Sequence, residues 1–425
     1  MAAAAQGDEL SAPIDEALAA AKQRSVPVIV DFYAPWCYSC YFMAKNVKNG
    51  PEWQRLQKQA VIVSLDADSP AGAHWMKQFA ARGLPSYVVL DAGGRELGRI
   101  SLERTRAQFY PEIAAISARG GDFEALKARV HDGSPASRAA GREVLATFAA
   151  RRDAAGARAW LDGLAPATRQ ALDADPAGSL WQSRLALQAA AGASDAAACT
   201  AVAPAVLNGA LGCDRAYELG RALECTAGLP VAQRRSLFAG QVPVMRQLLD
   251  RQVFVPKPGC ADARSLVTTA ADLSKALGDD KAEAALLDRA IADIERRLGG
   301  ASKLDLKRDR NLADNLRLYL ERAGRIKALD ALYPQLIAAY PDDYVYAFRH
   351  GRNLVERGEF ARALPWLEQA APKAYGVNRL NVARYRAEAL RKLGRDDDAK
   401  QVVADALKAN GPFFPDEVAK LKATL

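Results

Sequence analysis

Residues 26–43 read VPVIVDFYAPWCYSCYFM. An apolar, β-branched run of buried-strand length (26–34) meets a Pro-Trp break and then two cysteines, Cys37 and Cys40, spaced two apart. A helical pattern follows at 40–48, so the pair stands at a strand-to-helix corner. Three chemistries suit such a pair. Zinc needs two further ligands, yet His74, His131 and His350 are scattered and no second C-x-x-C exists. A permanent disulfide across two residues closes a tiny loop and removes little unfolded-state entropy. Thiol–disulfide exchange fits the corner best. The helix start presents unsatisfied N–H groups and its positive dipole end to Cys37, which favours thiolate over thiol. Lowering a thiol from a pKa of ~8.5 to ~7 raises its thiolate fraction at neutral pH from about 3% to about half. Cys40, one turn on, is placed to resolve a mixed disulfide. A degenerate domain that keeps its cysteines without turnover is the bland alternative.

Outward from the corner, VIVSLD (61–66) and SYVVLD (86–91) read as two more strands. Asp91-Ala-Gly-Gly reads as a tight turn, so RELGRIS (95–101) is expected to return antiparallel. Helices are expected at 14–24, 40–48, 73–80 and 105–118, giving an α/β sandwich of about 110 residues.

VIVDFYAPWCYSCYFM followed by GLPSYVVLD resembles the thioredoxin family, particularly periplasmic thioredoxin-like domains that pass reducing equivalents to client proteins. The resemblance covers residues 10–118 and rests on Asp31, Trp36-Cys37-x-x-Cys40 and Pro85. It implies that Cys37 attacks, Cys40 resolves, Asp31 accepts the Cys40 proton, and Pro85 is a cis-proline facing the disulfide. Burial of Asp31 in its apolar strand disfavours the charged form, which suits a base working near neutrality. Trp36, Tyr38 and Leu84 are the expected client-binding residues. Three positions depart from the family. Ser64 stands where a Lys often neighbours the buried Asp, and Ser101 where a Gly lines the docking surface. Tyr38-Ser39 lacks the histidine of strong oxidants, which leans the expectation toward a reductant.

The chain has 425 residues, half of them apolar and a quarter charged, with a net charge of +8. No apolar run reaches the ~18 residues a membrane span needs. The start, MAAAAQGDEL, lacks a basic n-region and an apolar h-region and looks like what remains around a signal-cleavage site. It reads as a mature exported, periplasmic chain. Lys and Arg balance Asp and Glu up to Ala118, so the whole +8 lies beyond it. Tracts such as KRDR (307–310) are short, broken by acids and free of aromatics, so a solvated helix face is expected rather than a nucleic-acid site. No cofactor or metal is expected. Cys199, Cys213, Cys225 and Cys260 suit an oxidising compartment, although four buried thiols would pack as well. Of three possible pairings, sequence proximity favours Cys199–Cys213 and Cys225–Cys260.

Beyond RGGD (119–122) strand signals vanish and aliphatics recur at helical spacing. Gly324, Gly358 and Gly394 recur at 34 and 36 residues, while Ala363 and Ala370 return 36 residues on as Ala399 and Ala406. This pattern resembles tetratricopeptide repeats at 344–375 and 380–411, with a looser copy at 311–342. The expected fold is therefore an α/β thioredoxin-like domain (8–118), an α-helical solenoid-like region (122–305) and all-α, tetratricopeptide-like repeats (306–425). By the repeat resemblance, Arg352, Asn381, Arg384 and Arg391 line a groove suited to an acidic peptide or C-terminal carboxylate.

The expected function is thiol–disulfide exchange on protein cysteines, supplied by a thiol-reducing electron donor, with the repeats docking a partner or client. The rival expectation is an adaptor whose repeats do the main work and whose thioredoxin-like domain is a docking module.

Overall fold

The structure is a computed structural model that describes residues 2–119 and 121–425. Met1, at the head of the expected leader remnant, and Gly120, within the RGGD segment, lie outside the described residues. The N-terminal part is the α/β sandwich that the thioredoxin resemblance implies. Helix α1 (Ala2–Arg24) leads into β1 (Val28–Tyr33), α2 (Tyr38–Asn46), α3 (Gly50–Gln59), β2 (Val61–Asp66) and α4 (Pro70–Gln78). Strands β3 (Ser86–Leu90) and β4 (Glu96–Ser101) and helix α5 (Arg106–Ser117) complete it. The sheet order is β2-β1-β3-β4, with β1 parallel to β2 and antiparallel to β3, and β4 antiparallel to β3.

Strand β1 is covered on both faces, which is why its sequence is a continuous apolar run rather than an alternation. Ile29, with Tyr87, Val89 and Ile100, packs against Met43 of α2 and Phe109 and Ile113 of α5. Val28, Val30 and Phe32 face the other way, against Ile14, Ala17 and Ala21 of α1. The period of two thus sends alternate residues into two cores. Asp31 pairs in register with Ser64 on one side and Tyr87 on the other.

Helix α3 was not expected. Its GPEWQRLQKQ buries only Leu56, with Trp53 half-buried one turn before it, so its apolar face is two residues long. Gly50-Pro51 reads as a break, whereas proline in the first turn is a helix start.

From Phe123 on, the described residues contain helices and no strand. The last three helical hairpins pair Arg310–Arg322 with Ile326–Ala339, Val345–Glu356 with Phe360–Ala370, and Gly376–Lys392 with Asp396–Asn410. Gly324, Gly358 and Gly394 sit in their turns at φ of 64°, 76° and 74°, a left-handed conformation open to glycine. At the middle hairpin a Cβ on Gly351 would stand 2.6 Å from Leu367 Cγ, so glycine permits the close approach of the two helices.

The proximity pairing of the outlying cysteines is wrong. The disulfides are Cys199–Cys225 and Cys213–Cys260. Cys199 lies in the first turn of helix Ala196–Leu207, whereas Cys213 follows its far end. The helix alone puts about 12 Å between those ends, beyond the ~7 Å a disulfide spans. The next helix, Arg215–Cys225, runs back and returns Cys225 to Cys199, leaving Cys213 for Cys260. All six cysteines are paired.

Candidate functional site

The two cysteines are linked by a disulfide at the start of α2, where Cys37 is the N-cap and the Cys40 N–H points at Cys37 Sγ at 3.1 Å. That contact is the expected donation of a helix-start N–H to the sulfur. Leu84 packs with Ala34 around the pair, and the following Leu84–Pro85 peptide is cis. Pro85 O accepts from Leu102 N at 2.8 Å, which fastens the proline turn to the end of β4.

Two buried carboxyls stand in the same domain, and one of them, Glu103, lines a cavity with Cys37. Asp31 Oδ2 accepts from Lys48 Nζ at 2.7 Å and from Ser64 Oγ at 3.4 Å. Lys48, just past α2, thus supplies the cation that the Ser64 position lacks. Glu103, two residues past β4 and 5% exposed, accepts at Oε1 from Ser39 Oγ at 2.8 Å. Its Oε2 is buried with no partner. Burial, with the negative charge of Asp262 nearby, pushes its carboxyl up to about 8.

The helical region packs directly on this loop. Arg349 Nη2 donates to Trp36 O at 2.8 Å, and Asn311 Nδ2 to Tyr38 O at 2.8 Å. The Tyr38 ring lies under the Arg264 guanidinium, 3.6 Å from its carbon, and the Tyr38 hydroxyl donates to Asp262 Oδ2 at 3.2 Å. Arg310 covers the Tyr41 ring at 4.3 Å. Behind them Asp314 is fully buried between Arg264, Arg317 and Arg349. Burial pushes the Asp314 carboxyl up, but the three guanidinium groups more than offset it and hold it well below the usual carboxylate range. Farther along, Val377 N donates to Asp68 O at 3.0 Å and the Tyr375 hydroxyl donates to Asp66. Asp68 Oδ2 accepts from Trp36 Nε1 at 2.6 Å, and burial pushes its carboxyl up to about 6 against the Trp36 hydrogen bond.

Under this cover Cys37 is 4% and Cys40 7% exposed, while Trp36 is 38% exposed. A cavity of about 510 Å³ reaches Cys37 and is lined by Met76, Leu84, Leu102 and Glu103 of the N-terminal domain and by Tyr217 and Asp262 of the helical region. A second, of about 310 Å³, has Trp36 and Asp68 on one side and Arg349, Arg352, Asn381 and Arg384 on the other.

The structure sets Trp36, Cys37, Tyr38 and Leu84 around one cavity, packs Cys40 with Leu84, and sets Arg352, Asn381 and Arg384 beside Trp36; Asp31 lies in β1 against Lys48 and Ser64. Arg391 stands apart: it bonds Thr424 O and faces Asp396 at 3.7 Å. The sequence reading missed Lys48, Glu103, Asp262, Arg264, Asn311 and Arg349. An acid directly after the last strand, in SLER (101–104), was the one local signal for Glu103.

A family model described as thioredoxin-like matches residues 10–92. The chain is 38% identical over 92 residues to the thiol:disulfide interchange protein DsbD of Cronobacter sakazakii, covering 21% of this chain and 16% of that protein. It is 28% identical over 106 residues to the thioredoxin-like protein HCF164, chloroplastic, of Arabidopsis thaliana, covering 25% and 38%. Among solved structures, a thioredoxin from Thermus thermophilus is 32% identical over 25% of this chain and 85% of its own, with a TM-score of 0.24. The chain thus matches about a sixth of the length of the first of these relatives and under two-fifths of the second. Its N-terminal part is thioredoxin-like and carries a C-x-x-C pair.

Proposed function

We propose that this chain is a thiol–disulfide oxidoreductase of an oxidising, extracytoplasmic compartment, acting as a reductase on protein cysteines. The observation that carries the reading is the Cys37–Cys40 pair at a helix start, packed with Leu84 in a thioredoxin-like domain. Cys37 attacks the client disulfide, Cys40 resolves the mixed disulfide, and a dithiol donor restores the pair. Asp31 takes the Cys40 proton, and Trp36, Tyr38 and Leu84 contact the client. Similarity to a protein named for thiol:disulfide interchange supports the activity, and the Cys199–Cys225 and Cys213–Cys260 disulfides support the compartment.

Docking by the helical region is proposed at the cavity where Arg349, Arg352 and Arg384 meet Trp36, with an acidic or C-terminal carboxylate segment of the client as occupant. Arg391 drops out of that role, since it is engaged elsewhere. Arg384 shares its cavity with Trp36, so an occupant there would lie beside the cysteine loop.

The adaptor reading is favoured by one observation, the near-complete cover of Cys37. Insulin reduction separates the two. An oxidoreductase reduces insulin and loses that activity in Cys37→Ser, while Cys40→Ala accumulates mixed disulfides with clients. Reduction no faster in wild type than in Cys37→Ser would leave the adaptor reading standing.

A further inference from the structure

Asp31 has Lys48 as a cation partner. Glu103 lies in the cavity that reaches Cys37, is nine-tenths buried, and keeps one oxygen without a partner. Its other oxygen is held by Ser39, the residue between Tyr38 and Cys40. A buried carboxyl with a hydroxyl rather than a cation beside it favours its neutral form, and a neutral carboxyl is a proton donor. The thiol-exchange reading leaves a step unserved. When the Cys37 thiolate attacks a client disulfide, one client sulfur departs as a thiolate into this cavity.

We propose that Glu103 is the acid for that departing sulfur. The Cys37 sulfur forms a bond to one client sulfur as the client S–S bond breaks, and the released thiolate takes the Glu103 proton. Glu103, now a carboxylate, regains a proton from water through the cavity; in the reverse direction it accepts a proton from an attacking client thiol. The oxidation change is confined to sulfur, and the dithiol donor named above restores it. This assignment rests on the thiol–disulfide reading.

The groups facing Glu103 set when the proton is present. Asp262 and Tyr217 face it from the helical region, Tyr38 and Ser39 from α2, Tyr87 from β3, and Arg104 from its own loop. Asp262 favours the protonated form and Arg104 opposes it. Because Asp262 is the N-cap of helix Ala263–Ala276, the helical region takes part in fixing this proton.

The test is single-turnover reduction of a fluorogenic peptide disulfide by the full, pre-reduced chain, from about pH 5 to about pH 10. Wild type should rise with pH as Cys37 ionises and fall again as Glu103 ionises near 8. Glu103→Gln keeps the shape and the Ser39 bond, and should lose the falling limb while slowing the maximum by about tenfold. Asp262→Asn keeps the helix cap and should move the limb to lower pH without removing it. Iodoacetamide alkylation of Cys37, which needs only the thiolate, checks that each variant retains its nucleophile. A falling limb unmoved in Glu103→Gln overturns the proposal. If that variant does not fold, a limb unmoved in Asp262→Asn overturns it equally. Wild type with no reduction beyond that of Cys37→Ser overturns the exchange reading itself, which is a different result.

Discussion

Two buried carboxyls of the α/β domain, Asp31 on β1 and Glu103 just past β4, are stabilised in opposite ways. Asp31 is buried as an ion pair: Lys48 reaches it at 2.7 Å, with side-chain exposures of 17% and 2%. Removing one member of such a pair strands the other charge in apolar surroundings, and that costs more than the pair itself contributes. Lys48→Met should therefore lower unfolding free energy by about 3 kcal/mol, and Lys48→Met with Asp31→Asn should recover most of the loss. Urea unfolding of the three variants measures this, and equal stability of the single and double variants would remove the ion pair from the account. The sequence could reveal Cys37, Cys40 and Pro85 because their chemistry is local: a two-residue gap, a helix start and a turn. It could not reveal Lys48 or Glu103, whose partners lie 17 and 64 residues away. Ser64 posed a cation-shaped question, and the fold answered it from a different element.

Among the elements, the strands were readable because β1 and β3 bury both faces and so carry unbroken apolar runs. Helix α3 was not, because its apolar face is short, with Trp53 and Leu56 packed on the core, and its Gly-Pro start reads as a break. The disulfides show the same limit at the next level. Proximity in sequence is a poor guide once an antiparallel hairpin returns a distant cysteine to the same end. The glycine spacing of the last hairpins was legible because each turn requires a left-handed residue. Gly351 is different, since it lies inside a helix and serves packing. Gly351→Ala gains about 1 kcal/mol of helix propensity, but its Cβ meets Leu367 Cγ at 2.6 Å and Ala363 O at 3.3 Å. The leucine can shift, whereas the carbonyl is fixed by its helix. Overpacking costs about 1–3 kcal/mol, so the clash should win, leaving Gly351→Ala destabilised by about 1 kcal/mol and Gly351→Leu by more. Thermal unfolding decides it, and a raised midpoint in Gly351→Ala would mean that the hairpin is looser than these distances imply.

For the whole molecule, the helical region is part of the Cys37–Cys40 pair's surroundings rather than a separate appendage. The Tyr38–Asp262, Tyr38–Asn311 and Trp36–Arg349 bonds join residues 224, 273 and 313 apart in sequence. No motif or period spans such distances, so the contact was invisible until the chain was folded. Its consequence is a cysteine loop held from outside. Asn311 and Arg349 each bond a carbonyl in the loop itself, one a neutral contact worth about 1 kcal/mol and one charge-assisted at about 1.5–3. Together they oppose local opening by about 2.5–4 kcal/mol, and each 1.4 kcal/mol is a tenfold change in an opening equilibrium. The Asn311→Ala, Arg349→Ala double variant should therefore speed amide hydrogen exchange across residues 36–41 by at least about tenfold, allowing for water that replaces part of each bond. Amides of β1 and β3 should exchange as before, because their partners are within the sheet. Exchange at 36–41 that matches wild type would show that the loop is held by its own domain, and that the helical region only covers it.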